Sequence, residues 1–316
     1  MRIGGQKMNK PTNITYDELV KTITMFWIDN ALEESINAEV EKFVTELETK
    51  LTKIGTKEGL RDYIRSDKAS LGNILGLMEV SEEKFKRIIS MLRRDRKYVF
   101  STEWSLDKTR SVLLDQESFM DDVCELLLNG ANSDRFKRKI PDFYRKGFVI
   151  DDSILSRLSD RTELARLAKK QLDVKYNNSV ANAVARRIEE TVKFTCDLEG
   201  LTLVRNKEVE MLGKSYCIAI PNAHDPCVLI DYSYNITTSS TQSRYAEKVK
   251  TTQELISNSG KKIITINVIE GAGWVGRQSD LRQIYDCSDY TLNIANIGLI
   301  DQIIRFALEG LNNDCC

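Results

Sequence analysis

The chain of 316 residues carries one histidine, four prolines and seven cysteines, and each scarcity closes off a class of chemistry. With His224 alone, His-rich zinc sites and most His-based triads are excluded, and its position in a run of turn formers places it on a surface hairpin. The cysteines, at 124, 196, 217, 227, 287, 315 and 316, form no C-x-x-C pair. Their odd number, with no signal-peptide pattern, predicts reduced thiols in the cytoplasm, with Cys315-Cys316 as an exposed end. No apolar run is long enough to cross a bilayer, so no membrane partner is expected. Neither sign of charge is in surplus: 46 Lys and Arg face 47 Asp and Glu. A polyanion would therefore have to be met by a local basic groove and not by global charge. Internal repeats and low-complexity tracts are absent as well.

What is present changes character part-way along. From Thr15 to about Thr195 the pattern is helical, with long stretches of Leu, Ile, Lys, Glu and Arg; Val40, Phe43, Val44, Leu47, Leu51 and Ile54 recur at three and four, the stripe of a core-facing helix. From about Leu201 short runs of Val, Ile, Thr, Tyr and Cys mark the start of a sheet. Cys217–Ile220 and Cys227–Ile230 read as two strands of a hairpin around Pro221–Pro226, with Asp231 directly after the second run. A charge there is costly unless something pairs with it, and a metal ion would do so. Lys261–Ile269 is a third strand, Glu270–Gly276 turns into a helix, and Tyr290–Ile294 is a fourth strand. Gly271, Gly273 and Gly276 satisfy G-x-G-x-x-G after a strand, with Asp289 near the distance of a ribose ligand. A dinucleotide domain needs several further βαβ units, and only 40 residues remain after Gly276. A structural turn and a loop near DNA are the other readings of these glycines.

The stretch Lys214–Lys250, KSYCIAIPNAHDPCVLIDYSYNITTSSTQSRYAEKVK, resembles the core of the PD-(D/E)XK nuclease superfamily, and within it type II restriction endonucleases carrying a "DFVIP … ES-SY-TTSS" pattern. Gly273-Trp274 and Asp289-Tyr290 to Asn293-Ile294 match the "DG-GW" and "DY-NI" elements of their tails. The resemblance covers roughly the last third of the chain and implies an α+β protein: a helical N-terminal domain followed by a restriction-endonuclease-like α/β domain with a central mixed sheet. Expected boundaries are a disordered 1–14, a helical DNA-binding or dimerisation domain over 15–155, and a catalytic domain over 156–316. In such enzymes two acids on neighbouring strands bind Mg²⁺ and a Lys two residues after the second orients or activates water. Here the second acid falls on Asp231, the Lys position on Ser233 and the first acid on Cys217, and a thiol is a poor ligand for hard Mg²⁺. Glu208, with Glu210, is the candidate replacement carboxylate, Lys248 the candidate cation, the Tyr232 carbonyl a further metal contact, and Gln242 an alternative to position water. The expected metal ligands are thus Asp231 and Glu208.

Three segments suit nucleic acid. Ser70–Leu77 followed by Ser81–Arg94 resembles a helix-turn-helix, with Ser81 as N-cap, Phe85, Ile88, Ile89 and Leu92 as the buried face, and Lys84, Lys86, Arg87, Arg93 and Arg94 for phosphates. A packed helical hairpin with a solvated basic face fits equally. Arg135–Lys139 and Arg145-Lys146 interleave cations with Phe136, Phe143 and Tyr144. In the loop 237–244, Thr238, Ser239, Ser240, Gln242 and Arg244 offer hydroxyls, an amide and a guanidinium for DNA, with Ser239 or Ser240 also capping a helix. Pro141-Asp142 is a decoy, since no acid pair on a strand follows it. The resemblance implies a Mg²⁺-dependent homodimer in a prokaryotic cytoplasm that cuts double-stranded DNA at a short specific sequence, with a DNA methyltransferase as genetic partner. The alternative is a degenerate nuclease fold that binds DNA without cutting it.

Overall fold

The computed structural model describes residues 9–99 and 102–314; the terminal Cys315-Cys316 pair lies outside them. They divide into two compact units: Asn30–Tyr176, and the residues up to Asp29 together with Asn177 onward. The division falls later than the expected 155/156 because the helix Arg161–Glu199 contains neither Pro nor Gly to end it. Its early residues Leu164, Leu167 and Ala168 join the core of the first unit, whereas Val184, Ile188, Val192 and Cys196 join that of the second.

The opening segment differs from the expected disordered 1–14. Residues 1–8 lie outside the described residues, but the carbonyls of Pro11 and Ile14 accept hydrogen bonds from the Tyr290 and Tyr285 hydroxyls at 3.0 and 2.8 Å. Thr15 then caps the helix Tyr16–Thr22, which buries Leu19.

The first unit is helical. Val40, Val44 and Leu47 on Asn30–Lys50 are buried with Leu51 and Ile54, as their spacing predicts. Ser81 caps Glu82–Asp95 through a 3.3 Å bond from the Lys84 amide, and Phe85, Ile88, Ile89 and Leu92 form the buried face. Ser70–Leu77 before it is buried along most of its length, including Asn73, whose amide bonds the Tyr63 hydroxyl at 2.7 Å.

The second unit is built on a five-stranded mixed sheet in the order β1 (Val204–Val209), β2 (Lys214–Ile220), β3 (Val228–Tyr234), β4 (Ile264–Glu270), β5 (Tyr290–Leu292). The first two pairings are antiparallel and the last two parallel. β1 was not expected as a strand. Its residues are mostly exposed, so the apolar alternation that betrays a strand is missing. One face packs Ile218, Ile220, Val228, Ile230, Ile266 and Val268 against the long helix and the C-terminal helix Leu299–Asp314. The other face meets Ser240–Ser259 and Gln278–Cys287 through Leu229, Ile256, Ile269 and Ala246. Buried polar groups of β4 are paired: Asn267 accepts from the Tyr245 hydroxyl and donates to Ser288, each at 2.8 Å. Glu270 receives the amides of Thr24 and Ile294 at 2.7 and 2.5 Å.

The three glycines after β4 serve a close backbone approach. A Cβ on Gly271, where φ is 102°, would lie 2.3 Å from the Asn235 carbonyl oxygen; one on Gly273 would lie 2.4 Å from that of Thr237, and one on Gly276 2.9 Å from the Thr238 methyl. They seat the turn against the 235–238 loop, which is the structural-turn reading of the motif. Gly271→Ala and Gly273→Ala are therefore each expected to cost about 1–3 kcal/mol, lowering the urea midpoint. Gly298→Ala, whose Cβ would meet nothing within 4 Å, should change little. Equal midpoints for all three variants would refute the packing role.

Candidate active site

Asp231 follows three buried apolar residues of β3, Val228–Ile230, and is itself 5 % exposed. Its register neighbour on β4 is Asn267. An ionised carboxylate inside a sheet needs partners for both oxygens, and two side chains supply them. The Cys217 thiol on β2 donates to Oδ1 at 2.8 Å, and the Lys248 ammonium bonds Oδ2 at 2.5 Å.

Lys248 comes from the helix Ser240–Ser259. Ser239 and Gln242 close a reciprocal capping box at its start, and Ala246, Val249, Thr252 and Ile256 bury its inner face. At the margin of that stripe the ammonium contacts three groups: Asp231 Oδ2, the Ser215 carbonyl at 2.9 Å, and the face of the Tyr216 ring, 4.7 Å from its centroid. Its three protons are thereby matched. The Tyr216 hydroxyl bonds Thr252, and burial pushes it up to about 12. Burial, and then the charge and hydrogen bond of Asp231, likewise push the Cys217 thiol up to about 12. The thiol is consequently a neutral donor through the physiological range.

The expected site residues are only partly brought together. Asp231, Cys217 and Lys248 meet. Ser233, two residues on, accepts instead from the Asn235 amide at 2.7 Å. Glu208 stands exposed on β1 opposite Ser215, with β2 between it and β3, and Glu210 pairs with His224 in the surface turn at 3.0 Å. Asp225 pairs with Lys261 at 2.6 Å. Among the described residues no three His, Cys, Asp or Glu converge as a metal site. One carboxylate with both oxygens occupied, a neutral thiol and an ammonium do not fit a resident Mg²⁺, which takes oxygen ligands.

Beside the cluster runs a groove of about 730 Å³ whose lining includes Arg186, Glu189, Asn206, Cys217, Ser233 and Asn235. Asn206 and Arg186 were not singled out from the sequence. Asn206 adopts φ 50° within β1, a conformation Asn tolerates better than most residues. Glu189 ties the groove wall together, accepting from the Tyr232 hydroxyl at 2.7 Å and pairing with Arg205 at 3.3 Å.

A family model described as the BanI C-terminal domain matches residues 146–309, which take in the whole sheet, Asp231, Cys217 and Lys248. The chain belongs to this family. It is a family of type II restriction endonucleases. No curated protein matches the chain.

The BanI C-terminal match begins at residue 146, so of the two basic segments expected to contact DNA it takes in only Lys146. In the first, Arg93 is corrected: it is 1 % exposed, stacks 3.8 Å from the Trp104 ring centroid and donates to the carbonyls of Thr102 and Val99. It is a core cation and cannot reach phosphate. Lys86 pairs with Glu82 at 3.0 Å, Arg87 with Glu103 at 3.1 Å, and Lys84 lies over Phe143, 4.7 Å from its centroid; Arg94 is exposed. In the second, Arg135 pairs with Asp122 and Glu125, and Arg145 is buried against Asp142, at the start of a short helix. Within the matched domain Gln242 is also corrected. Its side chain is fully buried in the cap, so neither water nor a base edge meets it there. Ser239 is the N-cap, Arg244 folds back on Ser240, and Thr238 backs Gly276.

The thiol yields a direct check. A group of pKa about 12 has a thiolate fraction roughly a thousandfold below that of an unperturbed thiol near neutrality. Alkylation of Cys217, followed by peptide mass spectrometry, should be correspondingly slow and rise with pH. Asp231→Asn removes one cause of the shift and should accelerate it; an unchanged rate would contradict the coupling. Because the native thiol keeps its proton above the unfolded value, its contribution to stability is intact below about pH 8.5 and is lost as pH rises towards 12.

Proposed function

We propose that the protein is a type II restriction endonuclease that hydrolyses phosphodiester bonds of double-stranded DNA at a short specific sequence, with the reacting phosphate brought to the groove beside Asp231, Lys248 and Cys217. The observation that carries this reading is the meeting of an acid from β3 with a cation from the following helix, inside the segment matched by the BanI C-terminal family. The PD-(D/E)XK resemblance supports the same placement, since Asp231 stands at its second acid. Lys248 supplies the positive charge that Ser233 cannot. Held by Asp231 and the Ser215 carbonyl, its ammonium is oriented before substrate arrives and balances the carboxylate behind the groove wall. Asp231 positions it. Exposed Arg94, Arg186 and Arg244 are candidate backbone contacts. A two-fold homodimer would match two cuts to two strands.

The Mg²⁺ that the resemblance implies finds one carboxylate here. That observation favours a second reading, a DNA-binding member of the family that does not cut.

Unmethylated phage DNA incubated with the full chain, with Mg²⁺ and with EDTA, separates the two. Discrete fragments are expected from the wild type. Asp231→Ala should reduce cleavage by about 100-fold or more while the protein still retards DNA in a gel. Retardation without fragments from the wild type would establish the binding reading, and absence of both would overturn the DNA assignment.

A further inference from the structure

The candidate site carries its own cation. The charges within hydrogen-bonding distance of Asp231 sum to zero: one carboxylate, one ammonium and one thiol that acts as donor. Neither side offers Asp231 itself to a hydrated ion. The groove is lined by Cys217, Ser233 and Glu189 but not by Asp231 or Lys248, so an ion in it meets the Cys217 thiol before Asp231. On the other side, the space lined by Asp231, Lys248, Thr252, Thr265 and Asn267 is about 10 Å³, room for about one water. A hydrated Mg²⁺ keeps several waters and has no place there.

We infer that Lys248 replaces a divalent cation as the counter-charge of Asp231, so that the free protein has no divalent-metal site at this position, and that the identity of residue 217 decides this. An aspartate at 217 would set a second carboxylate beside Asp231 and leave one ammonium facing two negative charges, on the groove side where a hydrated ion can approach. Like charges so close disfavour ionisation of both carboxyls unless a further cation is bound. The inference rests on the proposed placement of the site but not on DNA cleavage, so a chain that fails to cut DNA leaves it standing.

Mn²⁺ is the probe, followed by loss of the free-ion electron paramagnetic resonance signal and by the thermal midpoint. Full-length wild type, Asp231→Asn, Cys217→Asp and the double variant Cys217→Asp/Asp231→Asn are compared. Wild type and Asp231→Asn should give the same weak, unsaturated response. Cys217→Asp should bind Mn²⁺ stoichiometrically, at least about tenfold more tightly, with a rise in midpoint that the double variant loses. Stoichiometric binding to wild type that disappears in Asp231→Asn would overturn the inference, as would a folded Cys217→Asp that gains nothing. Should Cys217→Asp not fold, the comparison of wild type with Asp231→Asn still decides whether the native site holds an ion.

Discussion

A carboxylate in the middle of a sheet is the constraint around which the second unit is arranged. Asp231 lies on β3, flanked by β2 and β4 and covered on its own face by the helix Ser240–Ser259. Removing one partner of a buried ion pair costs about 3–5 kcal/mol, chiefly because the other charge is left without compensation. The helix must therefore hold Lys248 at a fixed height along the strand. Two features fix it: the capping box at Ser239, which sets where the helix begins, and the buried series Ala246, Val249, Thr252 and Ile256, which sets its rotation. The Tyr216–Thr252 hydrogen bond ties the same helix to β2, and the Lys248 to Ser215 contact repeats the tie.

The carboxyl ends of β3 and β4 need a second fastening, because the chain leaves both strands there. Asn235 receives the Gly273 amide at 2.8 Å and donates its own amide to Glu270 O at 3.0 Å. The Glu270 side chain, held above the usual carboxylate range by burial, gathers the Thr24 and Ile294 amides. Thr24 and Met25 in turn accept from Gly271 and Ala272. The opening segment thus belongs to the sheet unit by hydrogen bonding, although it is farthest from it in sequence. The glycine spacing that satisfies a dinucleotide fingerprint answers here to backbone crowding at this junction.

Much of this was legible in the sequence, for identifiable reasons. β2, β3, β4 and β5 are short apolar runs rich in β-branched and aromatic residues and bounded by turn formers, and that brevity and bounding separate buried strands from helix segments. Ser81, and a cap at Ser239 or Ser240, were readable because capping is local. β1 was not legible, since a polar edge strand with one fully buried residue looks like a loop, and Glu208 was in consequence placed before the sheet as a substitute ligand. Arg93 was misplaced for the opposite reason: its neighbours on the helix are charged, but its partners Val99, Thr102 and Trp104 lie beyond the helix end. Lys248 was found by elimination, from the missing cation at Ser233. Its separation from Asp231 by 17 positions is bridged by a crossover whose geometry only the fold supplies.

Cys217 and Ser233 are both departures from the pattern that the resemblance implies. Each position lacks a charge that the resemblance assigns, one negative and one positive, so the net charge of the cluster is preserved when both are absent. Placing the cation on the helix leaves Lys248 with a backbone carbonyl and an aromatic face as additional partners, and those contacts hold the ammonium on the side of Asp231 away from the groove. A thiol on the groove side then satisfies the remaining oxygen without bringing a charge that would need an ion. With Asp at 217 and Lys248 retained, the cluster would carry one uncompensated negative charge; with Lys at 233 and Cys217 retained, one positive. Either single substitution would unbalance a carboxylate that is 5 % exposed, whereas Cys217 and Ser233 together leave the cluster neutral.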